Sequence, residues 1–386
     1  MGLSLKDKKK NIYLMYLIVF LQGFVFYGPV ATIYRLERGI SMYQIFYIES
    51  IFWILMILLE IPWGLFADNF GYKKTLIISN IIFFVSKIVF FRAYSLALFI
   101  LERVLLAVAI SGLSGCDIAF LYNSTEGSNS QRVFGNYAAL ATAGYLIAAI
   151  FSTEMVRISV GSTAFYTIFP YLIAAIATFF LKDIKIKDRL NLGIKVSFKH
   201  ILDNKVIIFL VLAVAFIRES THAASVFLNQ LQYLRSGIGI EMFGLIAVGV
   251  QIASLSSAKS YVLSDRLGKN NSIGFLIVAI LVGCFGLIFT VDKILSIVII
   301  MLIAGSMSLI EPIYIEIQNK AIISADRATI LSIYAMIGNL IAALINPIIG
   351  KAADFSVQSA FIVCVAISGF AFLFFKLYQR YNINQN

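Results

Sequence analysis

The chain has 386 residues, of which 60% are hydrophobic and 13% charged, and its formal net charge is +11. A soluble domain carries a charged fraction of about 25%, so the composition excludes one of this length. The excess of Lys and Arg does not call for nucleic acid, because membrane proteins gather those residues in their cytoplasmic turns. Apolar runs long enough to cross ~30 Å of hydrocarbon as helices recur along the chain. The alternation of barrel strands is absent. The expected fold class is all-α integral membrane, with twelve transmembrane helices in two pseudo-symmetric six-helix halves.

Taken in order, helix one is expected over about Ile12–Tyr34, with Gln22 near its middle and a kink at Gly28-Pro29. The preceding Lys6–Lys10 run mimics a signal peptide, but no small-residue cleavage site follows and the apolar run is too long, so a retained span is expected. Helix two (about Tyr43–Phe66) holds Glu49, Glu60 and Pro62, and helix three (about Thr75–Phe91) holds Lys87. Helix four (about Ser95–Leu121) carries Glu102-Arg103, then Gly112, Gly115 and Asp117; helices five and six follow at about Val133–Met155 and Ser162–Leu181. Residues 182–205 contain seven Lys and Arg with three Asp and read as a cytoplasmic linker between an N-terminal half, 1–181, and a C-terminal half, 206–386. Helices seven to twelve are expected at about Val206–Leu234, Met242–Leu263, Ile273–Val291, Leu295–Gln318, Ala328–Gly350 and Val357–Leu377.

The turn after helix two reads Gly64-Leu-Phe-Ala-Asp68-Asn-Phe-Gly71-Tyr-Lys73-Lys74, a charged hairpin bounded by glycines between two apolar runs. Gly64 would allow two helices to approach closely, Gly71 a sharp turn, and Asp68 a carboxylate near a helix N-terminus. This pattern resembles the signature loop between helices two and three of the major facilitator superfamily, which often carries Arg where this chain has Asn69 and Tyr72. Glu60-Ile-Pro62, Arg103, Leu121-Tyr122 and Arg327–Ser332 extend the resemblance to bacterial members. Asp265-Arg-Leu-Gly268-Lys269 partly copies the loop 197 positions after Asp68, and Arg327 follows Arg132 by 195. Two anchors at nearly one offset predict an internal repeat. Asp68, Lys73, Asp265 and Glu60 are expected to form the charge contacts of a gate.

Ionisable side chains inside spans cost at least ~2.5 kcal/mol and need a reason. Glu49, Lys87, Glu102 and Arg103 fall in the outer third of the first half with charges that sum to zero, and a paired network is expected there. It is either a static salt-bridge cluster or, as the superfamily resemblance implies for the helix-four Arg103, a proton-coupling device. In helix seven, Arg218 and Glu219 lie four and three residues before His222, on adjacent faces. His alone of these titrates near neutrality when unperturbed. A single His is more often structural; beside two charges at mid-span, cavity lining is the stronger expectation, with Gln22 and Gln251 as further lining residues.

The chain lacks G-x-x-x-x-G-K-[ST], a His/Cys metal set and a Ser-His-Asp arrangement, so neither ATP hydrolysis, a metal, a cofactor nor an enzyme is expected. What the resemblance implies is a secondary transporter working by alternating access. Its favoured cargo is a small amphipathic drug or metabolite exported against protons. The rivals are proton-symport uptake of a polar or anionic solute, with Arg218 as anion partner, and a non-transporting membrane sensor. Helix five lacks the Gly-Pro signature of drug antiporters after Gly144, which weakens the export reading. The expected setting is the bacterial inner membrane. About 20 of the 31 Lys and Arg fall on the side assigned as cytoplasmic, so both termini are placed there. The expected partners are lipid, protons and the solute, bound by a monomer.

Overall fold

The structure, a computed structural model, describes residues 4–125, 130–184, 205–322 and 327–383. Among them the α-helices are α1 (Leu5–Gln22), α2 (Ala31–Leu36), α3 (Met42–Phe70), α4 (Tyr72–Arg92), α5 (Leu96–Leu113), α6 (Cys116–Ser124), α7 (Ser130–Ile158) and α8 (Val160–Phe179). There follow α9 (Lys205–His222), α10 (Leu228–Arg235), α11 (Phe243–Ser254), α12 (Ser260–Leu267), α13 (Lys269–Phe289), α14 (Lys293–Ala321), α15 (Arg327–Phe355) and α16 (Val357–Ile383). Eleven helical segments of the described residues are long and apolar enough to cross a membrane. The predicted linker lies outside the described residues except for Lys182–Ile184 and Lys205.

By its contacts the chain divides into two compact units, 1–40 with 51–190, and 41–50 with 191–386. In the first, α4 packs on α5 and α8, and α1 on α7 and α8; in the second, α13 packs on α14 and α16, and α9 on α15 and α16. The first turns of α3 go with the second unit for a visible reason. Asp354 of α15 accepts hydrogen bonds from Ser41 Oγ (3.1 Å) and the Tyr43 amide (3.1 Å), capping the α3 N-terminus with a carboxylate.

A common register runs through both units. The starts of α4 and α13, of α5 and α14, of α7 and α15, and of α8 and α16 are all separated by the same offset as Asp68 and Asp265. So are Gly71 and Gly268, which share a conformation (φ 90, ψ 154 and φ 78, ψ 151) open only to glycine and cap the helices that follow. Thr75 and Ser272 then donate back to the Gly71 and Gly268 carbonyls (3.0 and 2.8 Å). On this register Arg327 matches Ser130, so the pairing of Arg132 with Arg327 found near neighbours rather than true equivalents.

The spans of the first unit break where their equivalents in the second unit bend or run on. Helix one, predicted to kink at Gly28-Pro29, already stops at Gln22; Pro29 instead lies in the single 3₁₀ turn Gly28–Val30 that leads into α2. A break at this depth leaves backbone groups without helical partners. The Tyr171 hydroxyl donates to the Gln22 carbonyl (2.7 Å), and the Phe26 amide donates to Thr167 Oγ1 (3.1 Å). The corresponding place in the second unit is a π-helical segment, Ala223–Phe227, between α9 and α10. Helix four also breaks, at Gly115 with φ +72; its equivalent in the second unit is Pro312, inside the continuous α14.

Close helix crossings fall on other glycines than the one expected. Among the described residues a Cβ on Gly64 would meet nothing within 4 Å. A Cβ on Gly23 would lie 2.6 Å from the Ala141 carbonyl oxygen, and one on Gly144 would collide with that of Phe20. Gly144→Val should therefore cost about 1–3 kcal/mol through overpacking. Gly64→Ala, in an uncrowded helix interior, should be neutral or stabilising by up to ~1 kcal/mol. Thermal unfolding of the two variants in detergent checks both signs.

Candidate functional site

The in-membrane charges sort into three arrangements. In the first unit, Glu102 is 1% exposed and lies 4.0 Å from Arg103, its neighbour on α5, whose guanidinium stands 5.5 Å from the Phe52 ring centre. Glu49 is buried in the first part of α3, the part that packs with the second unit. Lys87, expected in the same network, is corrected by the structure. It is 3% exposed, and its ammonium donates to the Tyr27 hydroxyl (2.9 Å) rather than to a carboxylate. The rings of Phe83, Tyr171 and Tyr27 surround the ammonium at 4.7, 4.8 and 5.4 Å. Quadrupole attraction to three rings and one hydroxyl replaces the missing counter-charge.

Gln22, half-buried at the end of α1, donates to Asn80 Oδ1 (2.8 Å), which ties the helix-one break to α4. This polar cluster of Gln22, Asn80, Tyr27, Lys87 and Tyr171 was only partly visible in the sequence, because its members come from α4, α8 and the break. Arg35 was missed altogether. It was assigned to a turn, yet it is buried, 5.1 Å from the Phe90 ring centre.

In the second unit the expected trio separates. Glu219 is buried, with its carboxylate 3.6 Å from His222 Nδ1, while His222 is half-buried and also meets the Phe227 ring edge-on at 5.3 Å. Arg218 turns away to α14. Its Nε and Nη2 donate to the two carboxylate oxygens of Glu311 at 2.8 and 2.9 Å, a fork-to-fork pair. The side chains of Arg218 and Glu311 keep 45% and 32% of their exposure. Arg218 follows Val206 at the start of its span, and Glu311 precedes Ala321 at the end of α14, by helix lengths of roughly 18 and 15 Å at ~1.5 Å per residue. Both charges are at mid-span.

Beside Glu311 runs a groove of about 570 Å³ lined by Ser257, Ser308, Glu311, Pro312, Ile315 and Glu316. At its far end Glu316 pairs with Lys269 and with Lys320 (2.8 Å). Gln251 is half-buried on α11. At the hairpins, Asp68 and Asp265 are exposed and Lys73 is half-buried, whereas Glu60 is exposed inside the α3 span, ten residues before its end at Phe70. Asp117, just past the Gly115 break, accepts from the Tyr137 hydroxyl (2.9 Å).

The aromatic box makes a prediction that a carboxylate network would not. Tyr27→Phe removes the hydroxyl acceptor of a buried ammonium and should cost about 1–3 kcal/mol. Lys87→Met removes the charge together with its need and should cost less, or stabilise. Chemical or thermal unfolding of both variants in the same detergent gives the comparison.

Three comparisons place this geometry among known proteins. A point mutant of the nucleoside transporter NupG superposes with a TM-score of 0.82 at 14% identity, over 97% of this chain and 99% of that one. NupG itself gives 0.78 at 15%, over 98% and 99%. A bacterial homologue of the human lysosomal transporter Spinster, in an inward-facing and unoccupied conformation, gives 0.74 at 14%, over 97% and 98%. At such identities the likeness is one of fold. No curated protein sequence was found to match. Residues 12–344 match the family model of the Major Facilitator Superfamily, and with most of its length inside that match, the chain belongs to this superfamily.

Proposed function

We propose that the protein is a secondary active transporter that carries a small polar solute by alternating access. The observation that carries the reading is the Arg218–Glu311 pair, charged, forked and still half exposed at mid-span. Such a pair cannot face lipid, since charged groups there are tolerated only against protein or water. It therefore borders an aqueous path. An amphipathic export cargo, the first expectation from the sequence, would be served as well by aromatic and aliphatic walls. The exposed pair favours the rival reading of a polar cargo.

Coupling to protons belongs to the Glu102–Arg103 pair, where a carboxylate beside a guanidinium is held out of water. Asp68, Lys73 and Asp265 serve the gate at the hairpins, and Glu60 joins it from inside α3. The protein works as a monomer in the plasma membrane of a bacterium, with both termini in the cytoplasm, where the basic N-terminal Lys6–Lys10 run belongs.

The aqueous path can be tested without knowing the solute. The native cysteines are all buried, so they are poorly placed to report on water. Ser308 lines the groove about midway along α14. Ser308→Cys in a background without cysteines should react with a membrane-impermeant, charged thiosulfonate, and failure to label would remove the basis for transport through this site. Once the solute is in hand, Arg103→Gln should abolish its protonophore-sensitive accumulation while leaving the Ser308→Cys labelling intact.

A further inference from the structure

Building on that reading, we infer that the solute is a small zwitterion whose ammonium and carboxylate take over the contacts that Arg218 and Glu311 make with each other. The first argument is charge balance. Glu311 holds Arg218 Nε and Nη2 through both carboxylate oxygens, so a solute that takes over the forked face of either partner must break the fork, and Nη1 is left as the place where a carboxylate can first approach. An anion on Arg218 would strand Glu311 as an unpaired carboxylate at mid-span; a cation on Glu311 would strand the guanidinium. Leaving one member of such a pair uncompensated is the expensive outcome. A zwitterion exchanges one ion pair for two and leaves the site neutral throughout.

The second argument is the chemistry on either side of the pair. Glu311 is reached from the groove, whose lining carries hydroxyls and carboxylates and no Lys or Arg. Pro312 has no N–H, so the Ser308 carbonyl four residues earlier loses its helical donor. An ammonium has three donors to place. The Glu311 carboxylate, the Ser308 carbonyl and the Ser257 hydroxyl offer it three acceptors in one groove. On the other side, Gly338 of α15 stands against the guanidinium. A Cβ there would be 3.9 Å from Arg218 Nη1, and its absence leaves room for a carboxylate to approach. The α-ammonium and α-carboxylate of an amino acid fit this division of labour.

The test uses the full-length protein in lipid nanodiscs and equilibrium dialysis against matched probes. Alanine, leucine and phenylalanine are each offered as the free amino acid, the N-acetyl acid and the amide, so that net charge changes on a constant side chain. At least one free amino acid should be retained about tenfold better than its two singly charged analogues, the difference expected for one charge-assisted contact. Arg218→Gln and Glu311→Gln should each abolish that preference. Gly338→Leu, which covers the guanidinium and keeps the ion pair, should weaken retention without lowering the thermal midpoint, so that loss of fold is distinguished from loss of the site. Equal or better retention of an N-acetyl acid or an amide would overturn the inference, as would retention of none of the nine compounds. Either result, with Ser308→Cys still labelled from water, would leave the transport reading standing; an unlabelled Ser308→Cys would take both down.

Discussion

A polar group inside hydrocarbon must meet a partner or reach water, and this one demand accounts for much of what is specific in the two units. The break of the first span leaves a carbonyl at Gln22 and an amide at Phe26, and side chains of α8 satisfy both. The ammonium of Lys87 is held by a hydroxyl and three aromatic faces. Arg218 and Glu311 answer the same demand with each other, and they do so at mid-span while remaining half exposed. Satisfied and sealed groups keep a fold in place. A satisfied group that can still be reached can change partners, and for this reason the ion pair, more than the buried Glu102 or Lys87, marks the site.

The two units meet the demand differently although they share a register. At the end of its first helix the first unit has Gln22 bonded to Asn80, neutral amides throughout; at the equivalent position the second unit has the buried carboxylate of Glu219 beside His222. Charge at mid-span lies on α9 and α14 in the second unit, while the first unit places its charges on α3, α4 and α5. Within the proposed transport cycle this asymmetry separates the group that meets the solute from the groups that handle protons. Each can then change its partner without forcing the other to do so.

What the sequence made legible follows from how local the signal is. Apolar runs of about 20 residues announce spans by themselves, and the observed helices overlap the expected ones throughout. Gly71 and Gly268 were readable because a turn between two helices needs a positive φ wherever the rest of the protein lies. The breaks were not readable. Gly28-Pro29 looked like the kink, but proline is tolerated in the first turn of a helix, and that is where Pro29 lies. The helix ends earlier, beside the close approach of Gly23 to α7, a tertiary fact. The partner of Arg218 was not readable for a related reason. Spacing on α9 shows which side chains share a face, but a long Arg side chain chooses among neighbouring helices, and Glu311 is 93 residues away. Lys87 was misassigned because charge sums count carboxylates and overlook rings.

One small correspondence between the units shows what they have in common beneath their different side chains. At the C-terminus of α4 the carbonyls of Phe90 and Phe91 are met by the Tyr34 hydroxyl (3.1 and 3.0 Å). At the C-terminus of α13 the equivalent carbonyls, of Leu287 and Ile288, are met by the Arg235 guanidinium (3.1 and 3.0 Å). A phenol and a guanidinium have no likeness that a substitution score would reward, and they do not even stand at equivalent positions. What the two units share is the pair of carbonyls at the helix end, answered by a different donor in each. A fold fixed by such backbone needs rather than by particular side chains is compatible with a superposition at a TM-score of 0.82 on a chain that shares 14% of its residues. The correspondence also suggests where distant relatives of this fold are best compared: at the backbone groups that helices leave open, before the side chains that close them.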